Sequence, residues 1–374
     1  MNVLHIASFN GNIGDIINHS GFEAEFKKKV INNVEFVREE IRDYYKVRNF
    51  KSFNTEKFIK LANSFDLIVI GGGNFLSPWL EISNNGTTFD ISVENFKKIT
   101  TPILFNAVGC EGSLGYSEKT LHKIRKFFDH ILLSEASDKY FFTVRNDGSY
   151  SFIKDVIGKS YSSKVFEVPD NGFFCPIENL HPSSNREKTL GLSISEDRLK
   201  AKLSPNEYKA FIQKLASIIS LYVKESYHIK FIPHTFNDYK VLVDLFDCLK
   251  DDVVRNHMVV SQLQANSKSG REVMGSYVNC DQALVMRFHA SIACIKLNIP
   301  FVTLTLDQRL LSLFDNLELE NIVNINKSCS VRDIKKLFIN SSHNYDDVLN
   351  QLDTSQSIVF NRIKRWVNTN KLLE

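Results

Sequence analysis

Short apolar runs recur along the chain, and each is followed by a stretch in which apolar residues return every three or four positions. The runs read as strands covered on both faces, and the intervening spacing reads as amphipathic helix. In the first half the pattern predicts strands at Val3–Ser8, Asp66–Ile70, Pro102–Ala107, His130–Leu133, Phe141–Val144 and Val165–Val168. Helices are predicted between them at Asp15–Lys29, Glu56–Ser64, Lys119–Phe128 and Tyr150–Ile157. The second half repeats the alternation, with strands at Thr189–Ser193, Ile229–Ile232, Met258–Val260, Gln282–Met286 and Phe301–Leu304. Its helices are expected at Pro205–Lys224, Tyr239–Leu249, Arg271–Asn279 and Ala290–Lys296. Strand–helix alternation of this kind builds βαβ units and a mostly parallel sheet. The stretch Asn179–Glu187 is polar, carries Pro182 and has no periodicity, so it reads as a linker.

The expected fold class is therefore α/β, with two doubly wound, Rossmann-like domains facing a cleft. The expected bounds are 1–180 for the first domain and 188–330 for the second. Residues 331–374 are expected to form C-terminal helices that pack back on the first domain. The basic amphipathic stretch Ser355–Leu373 has two readings, a helix lying on an anionic membrane surface or one packed on its own protein, and the second is preferred.

At 374 residues the chain exceeds what one core usually supports, which agrees with two domains. A net charge of +3 without a long Lys/Arg run gives nucleic acid nothing to grip. No apolar segment approaches the roughly 18 residues needed to span a bilayer. The opening Met-Asn-Val-Leu-His-Ile-Ala runs straight into a core strand and leaves no room for a signal peptide, so a cytoplasmic location is expected. Six scattered cysteines (Cys110, Cys175, Cys248, Cys280, Cys294 and Cys329) contain no C-x-x-C pair. That pattern suits a reducing compartment and argues against disulfides and zinc. The 29 phenylalanines read as core packing.

Chemistry gathers at the expected strand ends. Met286-Arg287-Phe288-His289-Ala290 joins a buried strand to a small-residue helix. If extended backbone persists through it, Arg287 and His289 share one face. A guanidinium and an imidazole beside helix-start N–H groups suit a small, doubly anionic molecule. The alternative is an interfacial ion pair and a core histidine. The first βα turn, Gly11-Asn12-Ile13-Gly14-Asp15, lets backbone approach a ligand but lacks the dinucleotide fingerprint. Gly71-Gly72-Gly73-Asn74 follows a buried strand, and three glycines mark a place of close approach. Arg145 with Asp147 and Ser149, His234 with Asp238, and Asp170 also follow strands. Each alone reads better as a capped loop, and only their gathering at strand ends in both halves points to an inter-domain site.

Together these stretches resemble the polysaccharide pyruvyltransferase family. The resemblance rests on Gly11-Asn12-Ile13-Gly14-Asp15, Gly71-Gly72-Gly73, Val144-Arg145 with Asp147 and Ser149, Arg287-Phe288-His289-Ala290 and Ile299-Pro300, in order over about residues 8–310. The third strand end reads only Asn106-Ala107-Val108-Gly109-Cys110, and Arg309 stands where a Lys is more usual. The resemblance implies a fold similar to B-type glycosyltransferases. It also implies transfer of pyruvate from phosphoenolpyruvate to two hydroxyls of a sugar, as a ketal on a cell-surface polysaccharide or lipid-linked precursor. His289, Arg287 and Asp15 are the expected catalytic residues. Arg287, His289, His234, Arg309 and Ser291 are expected to bind donor, and Asn12, Gly14, Asp15, Gly73, Asn74 and Arg145 to bind acceptor. No cofactor beyond the co-substrate and no metal is expected. The expected setting is a lipid-linked acceptor met at the inner membrane face. A nucleotide-sugar glycosyltransferase and a non-catalytic sugar-binding protein are the competing readings.

Overall fold

The computed structural model describes residues 1–370 apart from Asn49, Glu111, Asn185, Lys268, 326–330 and 341–343. Cys329, Asn185 of the expected linker and the end of the expected terminal helix at 371–373 lie outside the described residues. By its internal contacts the chain divides into two compact units. Unit 1 comprises Met1–Phe9, Gly21–Phe174 and Gln351–Glu374, and unit 2 comprises Asn10–Ser20 and Cys175–Asn350. The division is not contiguous in sequence, unlike the expected bounds of 1–180, 188–330 and 331–374.

Unit 1 holds one six-stranded sheet, made of β1 (Asn2–Ala7), β2 (Glu35–Glu40), β3 (Leu67–Leu76), β4 (Ile103–Cys110), β5 (Tyr140–Arg145) and β6 (Phe166–Val168). Its order is β2-β1-β3-β4-β5-β6 and every pairing is parallel. Side chains alternate between two apolar layers, as the period of two requires. Leu4, Ile6, Ile68 and Ile70 enter one layer with Phe75, Phe105 and Phe142. Val3, Leu67, Val69 and Leu104 enter the other with Phe22, Phe26 and Phe360. That second layer is closed by the helix Asp346–Thr369, which buries Val359, Phe360, Ile363 and Val367. Trp366 Nε1 also donates to the Asp138 carbonyl at 2.8 Å.

Unit 2 holds the second sheet, made of β7 (Thr189–Ser193), β8 (His228–Phe231), β9 (Met258–Val260), β10 (Gln282–Val285), β11 (Phe301–Thr305) and β12 (Ile322–Asn324). It is also wholly parallel, in the order β12-β11-β10-β7-β8-β9. One face packs Leu190, Leu192, Phe231, Leu284 and Val302 against Ile212, Leu215 and Ile219 of the helix Pro205–Lys224. That helix starts at a capping box, in which Ser204 accepts from the Glu207 N–H and Glu207 accepts from the Ser204 N–H.

Three expectations need correction. The apolar run His130–Leu133 is not a strand. It continues the helix Glu118–Phe128 as a π-helical turn, Asp129–Leu133, with Ile131 and Leu132 buried. An apolar run so short fits either periodicity. The expected helix Tyr150–Ile157 begins at Ser149 and passes into a π-helical turn, Ile153–Ile157, before Gly158. β2, with sequence EFVREE, is not visible in the pattern because it is an edge strand with four charged residues and no fully buried one. No helix among the described residues is long and apolar enough to cross a membrane.

Candidate functional site

In unit 2 the chain runs from β7 outward to β9, then returns to lay β10 on the other side of β7. Strand order reverses between β7 and β10, and such a switch point opens a crevice at the carboxyl ends of its strands. Arg287 stands there, two residues past β10, in extended conformation as the cap of the helix Phe288–Lys296. His289 already belongs to the first turn of that helix. Extended backbone therefore stops at Arg287, and a shared strand face does not bring the two side chains together. Both residues nevertheless act electrostatically on His234.

Three strand ends converge on the Arg287 guanidinium. Its Nη2 donates to the Thr235 hydroxyl at 3.0 Å and to the Asp238 carboxylate, and it meets Asp197 at 2.9 Å. Asp238 is fully buried, and it also accepts from the N–H groups of His234, Thr235 and Glu196 at 2.9, 3.0 and 3.3 Å. Asp197 differs, with about half of its side chain (48%) open to solvent. Burial pushes the Asp197 carboxyl up, but Arg287 and the Ser195 hydroxyl outweigh it and hold the group below its usual range. Arg287 Nε is buried and has no hydrogen-bond partner among the described residues. The guanidinium is thus anchored from beneath by one carboxylate and covered by another that water reaches.

His234 is buried, with Nε2 against the Tyr277 hydroxyl. Burial, and after it the charges of Arg287 and His289, push its pKa well below the ordinary value, so it stays neutral near pH 7. Its carbonyl accepts from the Ile13 N–H at 3.2 Å, which ties the first βα turn to this unit. Gly11, at φ +90°, donates to the Ala265 carbonyl at 3.2 Å, and Asn12 Oδ1 accepts from the Gly14 N–H at 3.1 Å. Gly14 lies against His289, and a Cβ on it would stand 2.5 Å from the imidazole Nδ1. Asp15 is buried one residue further along the same turn. Asn12, Gly14 and Asp15, expected on the acceptor side, therefore share unit 2 with Arg287 and His289.

Arg309 follows β11 and forks onto Asp307, which caps the helix Gln308–Asn316 and meets Arg198 at 3.6 Å. Burial works against the charged Asp307, but the two arginines hold its carboxyl well below the usual range. Ser291 is fully buried, and its hydroxyl meets that of Thr303 on β11 at 2.9 Å. It fastens helix to strand inside the unit.

The remaining expected residues belong to unit 1. Gly71 and Gly72 take φ of +123° and +84°, and a Cβ on Gly71 would strike the Asn106 carbonyl at 2.6 Å. A Cβ on Gly73 would meet open space. Arg145 is buried and bonded on every nitrogen. Nε donates to Asp147 at 2.5 Å, Nη1 to Asp170 at 3.4 Å and Nη2 to Asn74 Oδ1 at 3.3 Å. It also fixes the Asn74 carboxamide. Reading the sequence missed Asp197 and Tyr277, and it noted Asp238 only as part of a polar loop. Asp238 was within reach, since a carboxylate four residues after His234 at a helix start is a capping signal.

Two wholly parallel six-stranded sheets, each flanked by helices and each with a switch point, define a Rossmann-like, two-domain α/β fold. Solved structures agree on the fold. The UDP-GlcNAc 2-epimerase of Methanocaldococcus jannaschii is similar at TM-score 0.55 and 13% identity, over 98% of this chain and 100% of that one. The S. aureus MnaA–UDP structure matches at 0.55 and 10%, over 98% and 97%. Anabaena HepE with UDP and glucose matches at 0.54 and 9%, over 98% and 100%. The model of the family "polysaccharide pyruvyl transferase" matches residues 12–308, and the chain belongs to that family. Among curated proteins none matches.

Proposed function

We propose that this transferase moves pyruvate from phosphoenolpyruvate onto two hydroxyls of one sugar, forming a ketal on a precursor of a cell-surface polysaccharide or glycolipid. The observation that carries the reading is Arg287 at the switch point of the second sheet, with His289 two residues on, in the first turn of the helix that Arg287 caps, and pressed against Gly14. The donor bears a carboxylate and a phosphate, and a guanidinium is the side chain that grips either bidentately. Half-exposed Asp197 is the carboxylate such an anion would replace, while buried Asp238 keeps the guanidinium in position. Arg309 supplies a second cation for the phosphate. Neutral His234 acts as a hydrogen-bonding wall, and Ser291 steadies the helix that carries His289.

The reaction then needs little besides a placed proton. His289 gives a proton to the enol methylene, which becomes the methyl group, and the neighbouring carbon becomes oxocarbenium-like. One sugar hydroxyl attacks that carbon and yields its proton through Asp15 to the emptied imidazole. The second hydroxyl displaces inorganic phosphate, which leaves with the remaining proton. General acid catalysis of this kind contributes roughly 10²–10⁴-fold. A lipid-linked acceptor and work at the inner face of the membrane remain part of the proposal.

The test is incubation with phosphoenolpyruvate and a panel of galactose, glucose, mannose and N-acetylhexosamine acceptors. Phosphate release with the matching gain in acceptor mass supports the reading, and His289→Ala should abolish both. Thermal stabilisation by a nucleoside diphosphate and none by phosphoenolpyruvate would point instead to a nucleotide-sugar enzyme.

A further inference from the structure

Unit 1 contains a cavity of about 300 Å³ beyond the carboxyl end of β3, beside the reversal of strand order between β1 and β3. The Arg287 region contributes nothing to it. Asn74, Ser77, Trp79 and Thr88 form its working wall, and Val47 and Ile82, 83% and 55% exposed, extend its apolar rim. We propose that this cavity binds one neutral pyranose ring of the acceptor, with Trp79 as the platform and Ser77 as a hydroxyl reader. The proposal deepens the pyruvyl-transfer reading and rests on it for the role of the sugar.

Four observations carry it. Ser77 is 2% exposed, yet its hydroxyl makes no hydrogen bond to any described residue, although it lines the cavity. The hydroxyl therefore opens into the cavity, where a ligand hydroxyl can take the place of water as its partner. The Trp79 indole N–H likewise has no acceptor among the described residues, and it stands on the same wall. A sugar offers what the pair lacks, an apolar C–H face for the ring and hydroxyls that both donate and accept. Charge argues the same way. The charged groups lining the cavity are Lys46 and Asp90, and they neutralise each other at 3.1 Å. Asp90 is further occupied by the Asn84 N–H and side-chain amide at 2.6 and 2.8 Å, so neither an anion nor a cation is favoured. Size sets the last limit, because small-molecule sites span about 300–1,000 Å³ and this one stands at the lower end, fit for a single ring.

The wall is held firmly. Thr88 donates its hydroxyl to the Asn74 carbonyl at 3.3 Å, and the Asn74 side chain is gripped by Arg145. The following loop is stitched by Ser83, Asn85 and Thr87, with the Ser83 hydroxyl on the Thr87 carbonyl at 2.9 Å and the Thr87 N–H on Asn85 at 3.1 Å. A preorganised wall loses little freedom on binding.

The chain contains two tryptophans, so Trp366→Phe leaves Trp79 as the sole reporter. That full-length variant is titrated with the methyl glycosides of galactose, glucose, mannose, N-acetylglucosamine and N-acetylmannosamine, in parallel with uridine 5′-diphosphate. Saturable change of Trp79 fluorescence with one glycoside is expected. By calorimetry, Trp79→Ala should weaken that glycoside about tenfold or more and Trp79→Phe should restore most of the loss, as stacking requires. Ser77→Ala should weaken it several-fold with an unchanged melting temperature. No saturable signal from any glycoside, saturation by the diphosphate alone, or equal affinity in the Trp79→Ala protein would overturn the proposal. Binding needs no turnover, so the two readings fail separately. A glycoside that binds at Trp79 but is never pyruvylated would sink the transfer reading alone. Turnover with an acceptor KM unchanged in Trp79→Ala would sink the cavity alone.

Discussion

Gly14 shows how much a single hydrogen can decide. Its φ lies outside the left-handed region, so backbone strain does not demand glycine there; the His289 ring does. Gly14→Ala would place a methyl group 2.5 Å from Nδ1 and turn the imidazole or lift the turn. If His289 is the proton donor of the proposed reaction, a misplacement of about 1 Å costs up to about 10²-fold, so kcat/KM for phosphoenolpyruvate should fall by that order while circular dichroism stays unchanged. Glu23 carries a different single-residue effect. Burial pushes its carboxyl up, but hydrogen bonds from His5 and Arg38, with their charges, outweigh burial and bring it down to about 2 from 4.5. A carboxyl depressed on folding adds stability that is present above pH 4.5 and lost as pH falls through 2. Wild-type unfolding free energy should therefore drop across that window, and Glu23→Gln should flatten the drop. An equally steep acid profile in the variant would refute the assignment.

Among elements, the strand ends of the second sheet are joined more tightly than their sequences suggest. Asp238 begins the helix Asp238–Phe246, and its carboxylate reaches backbone beyond β7, backbone beyond β8 and the guanidinium beyond β10. Hydrogen bonds to a charged group are worth about 1.5–3 kcal/mol each, so Asp238→Asn should lower unfolding free energy by roughly that much in a denaturant titration. Under the proposed reaction it should also raise KM for phosphoenolpyruvate, because Arg287 loses the anchor that holds it. Most elements were legible before their coordinates were known. The strand Thr189–Ser193, the strand Met258–Val260 and the helix Pro205–Lys224 fall where their periodicity puts them. The failures have physical causes. β2 hides because an edge strand needs no apolar face, and His130–Leu133 deceives because four apolar-rich residues suit a strand as well as a π-helical turn. Of the site, the Arg-x-His pair was visible as chemistry. The carboxylates that position Arg287 were not, because pairing between distant strand ends leaves no local pattern.

At the scale of the whole molecule, the last long helix belongs to the first sheet. Phe360 is fully buried beside Val3, Phe22 and Phe26, so the apolar layer under β1 is completed by residues some 350 positions away in sequence. Removing a buried phenylalanine side chain costs about 3–5 kcal/mol, and Phe360→Ala should lower the melting temperature by several degrees. If the helix were merely laid on the surface, the melting temperature would not move. The basic positions of this helix are partly engaged by the protein itself, since Arg362 lies 4.8 Å from the centroid of the Phe166 ring.

The discontinuous division bears on anyone who would dissect the molecule. A polypeptide begun at Cys175 and stopped at Asn350 would carry all six strands of the second sheet together with Arg287, His289 and His234. It would nevertheless be missing Asn10–Ser20, eleven residues from the far end of the gene. Without them the His234 carbonyl has no Ile13 N–H, the Ala265 carbonyl has no Gly11 N–H, and the His289 ring has no glycine to rest on. Such a fragment should recover its local order only when the missing decapeptide-and-one is tethered back to it.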